Sequence, residues 1–281
     1  MKCQWDNLLQ VLPPKLRADV DKLGRESMEE LRLRRERPTE LVFPGGKSLL
    51  REVSTQEDVN YVLNAASGFS PWAAGSITQG YLTIPGGHRI GLCGEWVEQH
   101  GQISAIRRVS GMCIRVARAF PGIADKAPVA GSLLILGPPG AGKTTLLRDL
   151  ICRRSGLGSA ISVIDERGEL FPAGGIFDPG PRTDIFTGCR KDTGVDMALK
   201  TMGPACIAVD EITSPADCQA LISAGWCGVE LLATAHAANC EDLHRRSIYQ
   251  PIVRSGLFSQ ALVLKKDKSW KLERVVSWGS N

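Results

Sequence analysis

The run Gly137-Pro138-Pro139-Gly140-Ala141-Gly142-Lys143-Thr144, followed by Thr145, constrains this chain more than any other stretch. It meets the phosphate-loop pattern G-x-x-x-x-G-K-[ST] at every fixed position. Before it, residues 132–136 are a short, almost wholly apolar run, as a buried parallel strand requires. After it, Leu146, Leu147, Leu150 and Ile151 recur at helical spacing. A glycine-rich turn matching by chance would lack this strand-before, helix-after context. Glycines let the backbone curl so that several N–H groups face an anion, and the helix N-terminus adds partial positive charge. Gly137, Pro138, Pro139, Gly140, Ala141, Gly142, Lys143, Thr144 and Thr145 are therefore expected to bind a nucleotide. Lys143 would reach the β- and γ-phosphates, and the Thr144 hydroxyl would ligate Mg²⁺.

A chain of 281 residues is long for one domain and comfortable for two. The hydrophobic share of 43% and charged share of 23% are those of a soluble globular protein. A net charge of +4 permits an acidic partner or membrane surface, and no nucleic acid is expected from so small an excess. Nine cysteines without a C-x-x-C pair read as reduced, mostly buried thiols. Asp6 and the Pro13-Pro14 pair stand where an export signal needs an apolar run, and no stretch approaches the ~18 apolar residues of a membrane span. The expected location is the cytoplasm, with at most a peripheral place at the membrane.

Residues 1–119 read as a separate, smaller α+β domain. Pro14 can open a helix with Leu12, Leu16, Val20 and Leu23 on one face. Residues 30–35 alternate like a half-buried strand. Residues 40–43 and 48–53 flank Pro44-Gly45-Gly46 as a hairpin, and a helix capped by Thr55 stops near Gly68. A second hairpin joins residues 81–84 to 89–96, and a last strand covers 112–118. Arg32, Arg34, Arg35, Arg89, Arg107, Arg108, Arg115 and Arg118 make this domain locally basic. Solvated strand faces account for most of them, while one or two could reach a phosphate. Residues 120–130 lose all periodicity and hold two prolines, as a linker would.

From 131 to 281, strands and helices alternate, which implies a parallel sheet and, with the phosphate loop, a RecA-like P-loop NTPase core of the α/β class. Residues 160–164 form a buried strand that runs into Asp165-Glu166-Arg167-Gly168-Glu169. Residues 206–209 form another, ending in Asp210-Glu211. Open α/β sheets bind ligands at such C-terminal strand ends. Asp210 is the expected second magnesium ligand and Glu211 the catalytic carboxylate that orients water. The bland alternative is that the Asp210-Glu211 pair caps the helix that begins near Ser214. Residues 230–236 deliver His236 to the same edge, where it could sense the γ-phosphate or be merely structural. Residues 179–185, with Arg182 as their cation, read as a polar loop long enough to fold over the nucleotide, or as a surface turn.

The ordered set of phosphate loop, Asp165-Glu166-Arg167-Gly168-Glu169, Asp210-Glu211, and Ala233-Thr234-Ala235-His236 with Arg245-Arg246 after it resembles the type II and type IV secretion ATPases and pilus motors. A closer resemblance is to the stage III sporulation protein AA family. It rests on Leu31-Arg32-Leu33-Arg34, residues 82–92, Ile114-Arg115-Val116-Ala117-Arg118, Val163-Ile164-Asp165-Glu166-Arg167 and Pro181-Arg182-Thr183-Asp184. It implies an ATP- and Mg²⁺-dependent ATPase serving the membrane proteins of an export complex made during sporulation. It also implies a homo-oligomeric ring, often a hexamer, with nucleotide held between the two modules. Glu166 and Glu169 would belong to the Asp box, Glu211 to Walker B and His236 to the His box. Two departures stand out: Ile212-Thr213 follow the Walker B glutamate where secretion ATPases usually have arginine, and Asp165-Glu166 stands where they tend to have Glu-Asp. Which Asp-box carboxylate acts is open. Readings of another class are a nucleotide-gated assembly scaffold at the membrane and a RecA-like nucleic-acid motor. A small-molecule kinase is weaker, since no lid or acceptor pocket is legible.

Overall fold

The computed structural model describes residues 1–68, 77–172 and 174–275. Its chain divides into two compact units of a mixed α/β fold, Met1–Ala119 with Pro172–Ile176, and Phe120–Phe171 with Phe177–Asn281. Residues 276–281, which close the expected second domain, lie outside the described residues.

The first unit contains α1 (Trp5–Val11), α2 (Pro14–Gly24), β1 (Glu30–Arg34), β2 (Arg37–Phe43), β3 (Gly46–Ser54), α3 (Gln56–Ser67), β4 (Tyr81–Ile84), β5 (His88–Gln99) and β6 (Gln102–Arg115). The strands form one antiparallel sheet in the order β3-β2-β1-β6-β5-β4. Alternation along β1 buries Leu31 and Leu33 against Trp5, Leu8, Leu16 and Met112. Thr55 and Asp58 form a reciprocal capping box at the start of α3, which stops at Gly68 in the left-handed region. Leu23 departs from the expected apolar face: it is 47% exposed, because the buried stripe runs through Leu16, Val20 and Gly24 and Leu23 falls beside it. The strand expected at 112–118 stops at Arg115, where it is the inner end of the 14-residue β6, whose polar outer half is held by pairing with β5.

Most of the basic residues of this unit have partners inside it. Arg32 and Arg115 pair with Glu30, Arg34 with Glu40 and Arg108 with Glu95. Arg118 donates to the backbone oxygens of Gly24, Arg25 and Met28. The excursion Pro172–Ile176 joins this unit through a bridge between Gly86 and Gly175, with Gly86 N donating to Gly174 O at 3.0 Å.

The second unit contains β7 (Leu133–Leu136), α4 (Lys143–Gly156), β8 (Ile161–Asp165), β9 (Thr183–Thr187), α5 (Lys191–Thr201), β10 (Cys206–Val209), α6 (Pro215–Trp226), β11 (Glu230–Ala235), α7 (Cys240–Arg245), α8 (Gln250–Ser255), β12 (Gln260–Leu264) and β13 (Trp270–Arg274). The sheet order is β13-β12-β7-β11-β10-β8-β9, parallel throughout except for the β12–β13 hairpin. Both faces are covered. Along β7, Leu134 and Leu136 enter one apolar cluster while Leu133 and Ile135 enter the other, which is why the strand is a bare apolar run.

Residues 120–130 lack periodicity because hydrogen bonds, rather than an apolar stripe, place them. Asp149 accepts from Gly122 N at 3.0 Å and Ala124 N at 2.7 Å, and Arg153 donates to Ala124 O and Ala127 O. The 179–185 stretch is an exposed surface turn at Pro181-Arg182 rather than a loop over the nucleotide. Its second half is the edge strand β9, and Arg182 O accepts from Ile161 N at the N-terminal end of β8. That places Arg182 about 13 Å along the strand from the phosphate-loop edge. The cysteines are also less buried than expected: all nine stand outside disulfides, but Cys206 and Cys218 alone are buried.

Candidate nucleotide-binding site

The phosphate loop leaves the C-terminal end of β7 and closes into α4, whose first residue is Lys143. Gly140 and Gly142 have φ of 73° and 98°, a region where a side chain is strained, so glycine is required at both turns. Lys143 is 7% exposed. Its Nζ donates to Gly137 O at 2.9 Å, Pro138 O at 3.1 Å and His236 Nδ1 at 3.0 Å. Burial pulls its pKa below the ordinary lysine value, and the nearby Asp210 and Glu211 charges oppose that shift.

An ammonium only donates, so His236 Nδ1 must accept. Its proton then sits on Nε2, 3.0 Å from Glu211 Oε1. One neutral imidazole thus spans the phosphate-loop lysine and the Walker-B-like glutamate. Tyr249 Oη accepts from His236 N at 3.1 Å and holds the end of β11 in place.

Thr144 and Asp210 come together although they are far apart in sequence. Thr144 Oγ1 donates to Asp210 Oδ2 at 2.8 Å, and Thr234 Oγ1 donates to Asp210 Oδ1 at 2.7 Å. The buried Thr234 hydroxyl also accepts from Glu211 N at 2.8 Å, fixing both members of the acidic pair. Glu211 has φ of 54°, a left-handed conformation costing a non-glycine residue about 1–2 kcal/mol. Neither acid caps α6; Ser214 and Asp217 do, through their own capping box. The helix-capping alternative for the pair therefore falls. The Thr144 hydroxyl and Asp210 carboxylate are hard oxygen donors suited to Mg²⁺.

The Asp-box residues separate. Asp165 is 3% exposed and accepts from Glu169 N at 2.8 Å and Phe171 N at 2.9 Å. Burial raises its pKa against those backbone donors, and the neighbouring Asp210 adds to the rise. It folds the loop that follows β8. Glu166 pairs with Lys191 at 2.9 Å, at the start of α5, rather than with the Lys143–His236–Glu211 chain. Arg148, one turn beyond Thr144, donates to Leu170 O at 2.6 Å and Glu169 O at 2.5 Å. Its guanidinium also stacks 4.0 Å from the Phe177 ring, and burial lowers its pKa to about 10. On the other flank, Lys268 Nζ donates to Gly140 O at 2.6 Å.

Sequence reading missed Thr234, Tyr249, Arg148 and Lys268. The alternation of small and polar residues in Ala233-Thr234-Ala235-His236 is a faint signal for the first, and Arg148 at i+4 from Thr144 is one for the third. Nothing local marks the other two.

The family model described as "Sporulation stage III, protein AA" matches residues 3–275. The chain is 33% identical to stage III sporulation protein AA of Bacillus subtilis (strain 168), over 94% of this chain and 92% of that protein. Among solved structures, it is similar in fold to the Legionella pneumophila ATPase DotB, with a TM-score of 0.58 and 16% identity over 88% of this chain and 76% of that one. It is likewise similar to the pilus retraction motor PilT with bound ADP, with a TM-score of 0.61 and 14% identity over 92% of this chain and 82% of that one. The chain belongs to the sporulation stage III protein AA family.

Proposed function

We propose that this member of the sporulation stage III protein AA family is an Mg²⁺-dependent ATPase whose turnover drives assembly or transport by a membrane-bound, secretion-like complex during sporulation. The observation that carries the reading is the chain Lys143–His236–Glu211, set beside the Thr144–Asp210 pair at the C-terminal ends of β7, β10 and β11. Those strand ends are where an open parallel sheet binds its ligand. The second unit is read as a RecA-like core. The chain's domains are residues 1–119 and the core 131–281, joined by the linker 120–130.

The phosphate chain would lie against the loop amides and the N-terminus of α4, where Gly137 to Thr145 present donors. Lys143 already donates to three acceptors, and phosphate oxygens offer it stronger, charged ones. Mg²⁺ held by Thr144 and Asp210 would neutralise developing negative charge on the phosphates. Glu211 orients the attacking water and accepts its proton. His236, between Glu211 and Lys143, senses whether the lysine is engaged. Glu166, paired with Lys191, is kept as a second catalytic candidate at the same strand edge.

Ring formation, a hexamer by resemblance, and attachment to membrane proteins of an export complex extend this proposal. No helix among the described residues is long and apolar enough to cross a membrane. The reading is tested by steady-state phosphate release from Mg·ATP over a range of protein concentrations, beside Glu211→Gln. Turnover that rises faster than protein concentration and is lost in the variant is expected. ATP binding without turnover in the unaltered chain would favour the assembly scaffold, and stimulation by nucleic acid the nucleic-acid motor.

A further inference from the structure

The β12–β13 hairpin brings a second lysine to the phosphate loop. β12 runs parallel to β7, with Val263 opposite Leu136, so the two chains leave the sheet side by side. The phosphate loop continues from one and the hairpin turn from the other. Lys268 N donates to Lys265 O at 3.1 Å, and Lys265 N donates to Ser269 O at 2.9 Å, closing the turn. Asp267 is occupied within it, accepting from Ser269 N at 3.0 Å and Ser269 Oγ at 2.6 Å.

Lys268 sits at φ of 67°, the place in such a hairpin where glycine is favoured. The turn thus carries a strained side chain where a glycine would relax it. That side chain crosses the phosphate loop: Nζ lies 2.6 Å from Gly140 O, and Cδ is the nearest atom to a Cβ built on Gly142, at 3.8 Å. A backbone carbonyl is a weak partner for an ammonium, and an ionised phosphate oxygen a strong one.

We propose that Lys268 is a second cation of the nucleotide site, its ammonium contacting the phosphate chain of a bound nucleoside di- or triphosphate from the side opposite His236. This rests on the nucleotide-binding reading above. Lys143 serves the phosphates from within the loop, and Lys268 serves them from across it.

The test measures binding of Mg·ADP and of inorganic pyrophosphate by calorimetry, with thermal unfolding alongside, for the full chain, Lys268→Gln and Lys268→Gly. Glutamine can still donate to Gly140 O but carries no charge. Glycine removes the side chain and relaxes the backbone. Both variants are expected to bind both ligands about tenfold more weakly, as loss of one charge-assisted contact implies. Their affinity should also depend less on salt. Lys268→Gly should melt no lower than the unaltered chain, so the loss is not one of folding. Unchanged affinity in Lys268→Gln would assign the side chain to the Gly140 carbonyl alone and overturn the proposal. A loss seen with ADP but not with pyrophosphate would overturn it as well. Failure of the unaltered chain to bind either ligand would overturn both this inference and the function it rests on.

Discussion

The imidazole of His236 stands 3.0 Å from the Glu211 carboxylate while its other nitrogen accepts from Lys143. Three residues from three separate segments thus share one proton-ordered chain, and the state of the lysine reaches the carboxylate through the ring. His236→Ala should therefore leave nucleotide affinity within a few-fold of the original while lowering turnover about 100-fold, the lower end of what positioned acid–base groups contribute. Parallel binding and phosphate-release measurements check this. A loss confined to affinity would make His236 a binding residue only.

Lys143→Ala should abolish measurable nucleotide binding, since no other ammonium lies within the loop. It leaves the Gly137 and Pro138 carbonyls without their donor, at a cost of about 1–3 kcal/mol. Part of that is returned because a buried charge is removed. The melting temperature should fall by only a few degrees, with binding lost in the same sample.

Asp210 and Glu211 should separate by phenotype. Asp210→Asn keeps an oxygen for Thr234 but loses the charge facing Thr144, so the Mg²⁺ concentration needed for half-maximal binding should rise. Glu211→Gly removes the water-orienting carboxylate and relaxes the backbone at φ of 54°. It should stop hydrolysis without lowering stability, because the ~1–2 kcal/mol relief offsets the entropy cost of glycine. Swapped outcomes would reverse the two assignments.

Arg148 ties the phosphate-loop helix to the loop after β8 through Glu169 O, Leu170 O and the Phe177 ring. Arg148→Met keeps most of the buried stem but strips two carbonyls of their donor. It should lower stability by about 2–6 kcal/mol, two unsatisfied acceptors' worth. Arg148→Lys, which restores one donor, should recover part of that loss. Denaturant midpoints for the three chains check the order.

His88 gives the first unit a pH dependence. Its Nδ1 accepts from Ala117 N at 3.1 Å, so its Nε2 proton goes to Gln4 O at 3.0 Å and the ring is neutral. Burial holds its pKa below the ordinary 6.5. Below that value the unfolded chain takes up a proton more readily than the folded one, so stability falls as pH drops from 6.5 toward the folded pKa and is unaffected above it. Unfolding curves at pH 7.5 and pH 5.5 should show this loss, and His88→Gln should flatten it. An equal loss in the variant would assign the pH dependence elsewhere.

The sequence by itself determined the parts whose signal is local. Eight consecutive residues carry the phosphate loop, alternation marks β1, Thr55 and Gly68 bracket α3, and apolar runs ending in acids locate β8 and β10. What the chain could not spell out is which strand ends become neighbours. Placing β11 between β7 and β10 makes Thr234 and His236 the links between Lys143 and the acidic pair. Placing β12 on the other side sets Lys268 on a loop 128 residues earlier in the chain. β9 reads as loop because an exposed edge strand carries no apolar run, and parallel pairing with β8 alone makes it a strand. Asp165 and Glu166, adjacent in sequence, diverge because one side chain turns into the protein and meets backbone donors while the other turns out to a lysine. Local pattern reports the period of burial. Sheet order decides which functional groups meet, since hydrogen bonds of about 3 Å depend on contacts that no short window of residues contains.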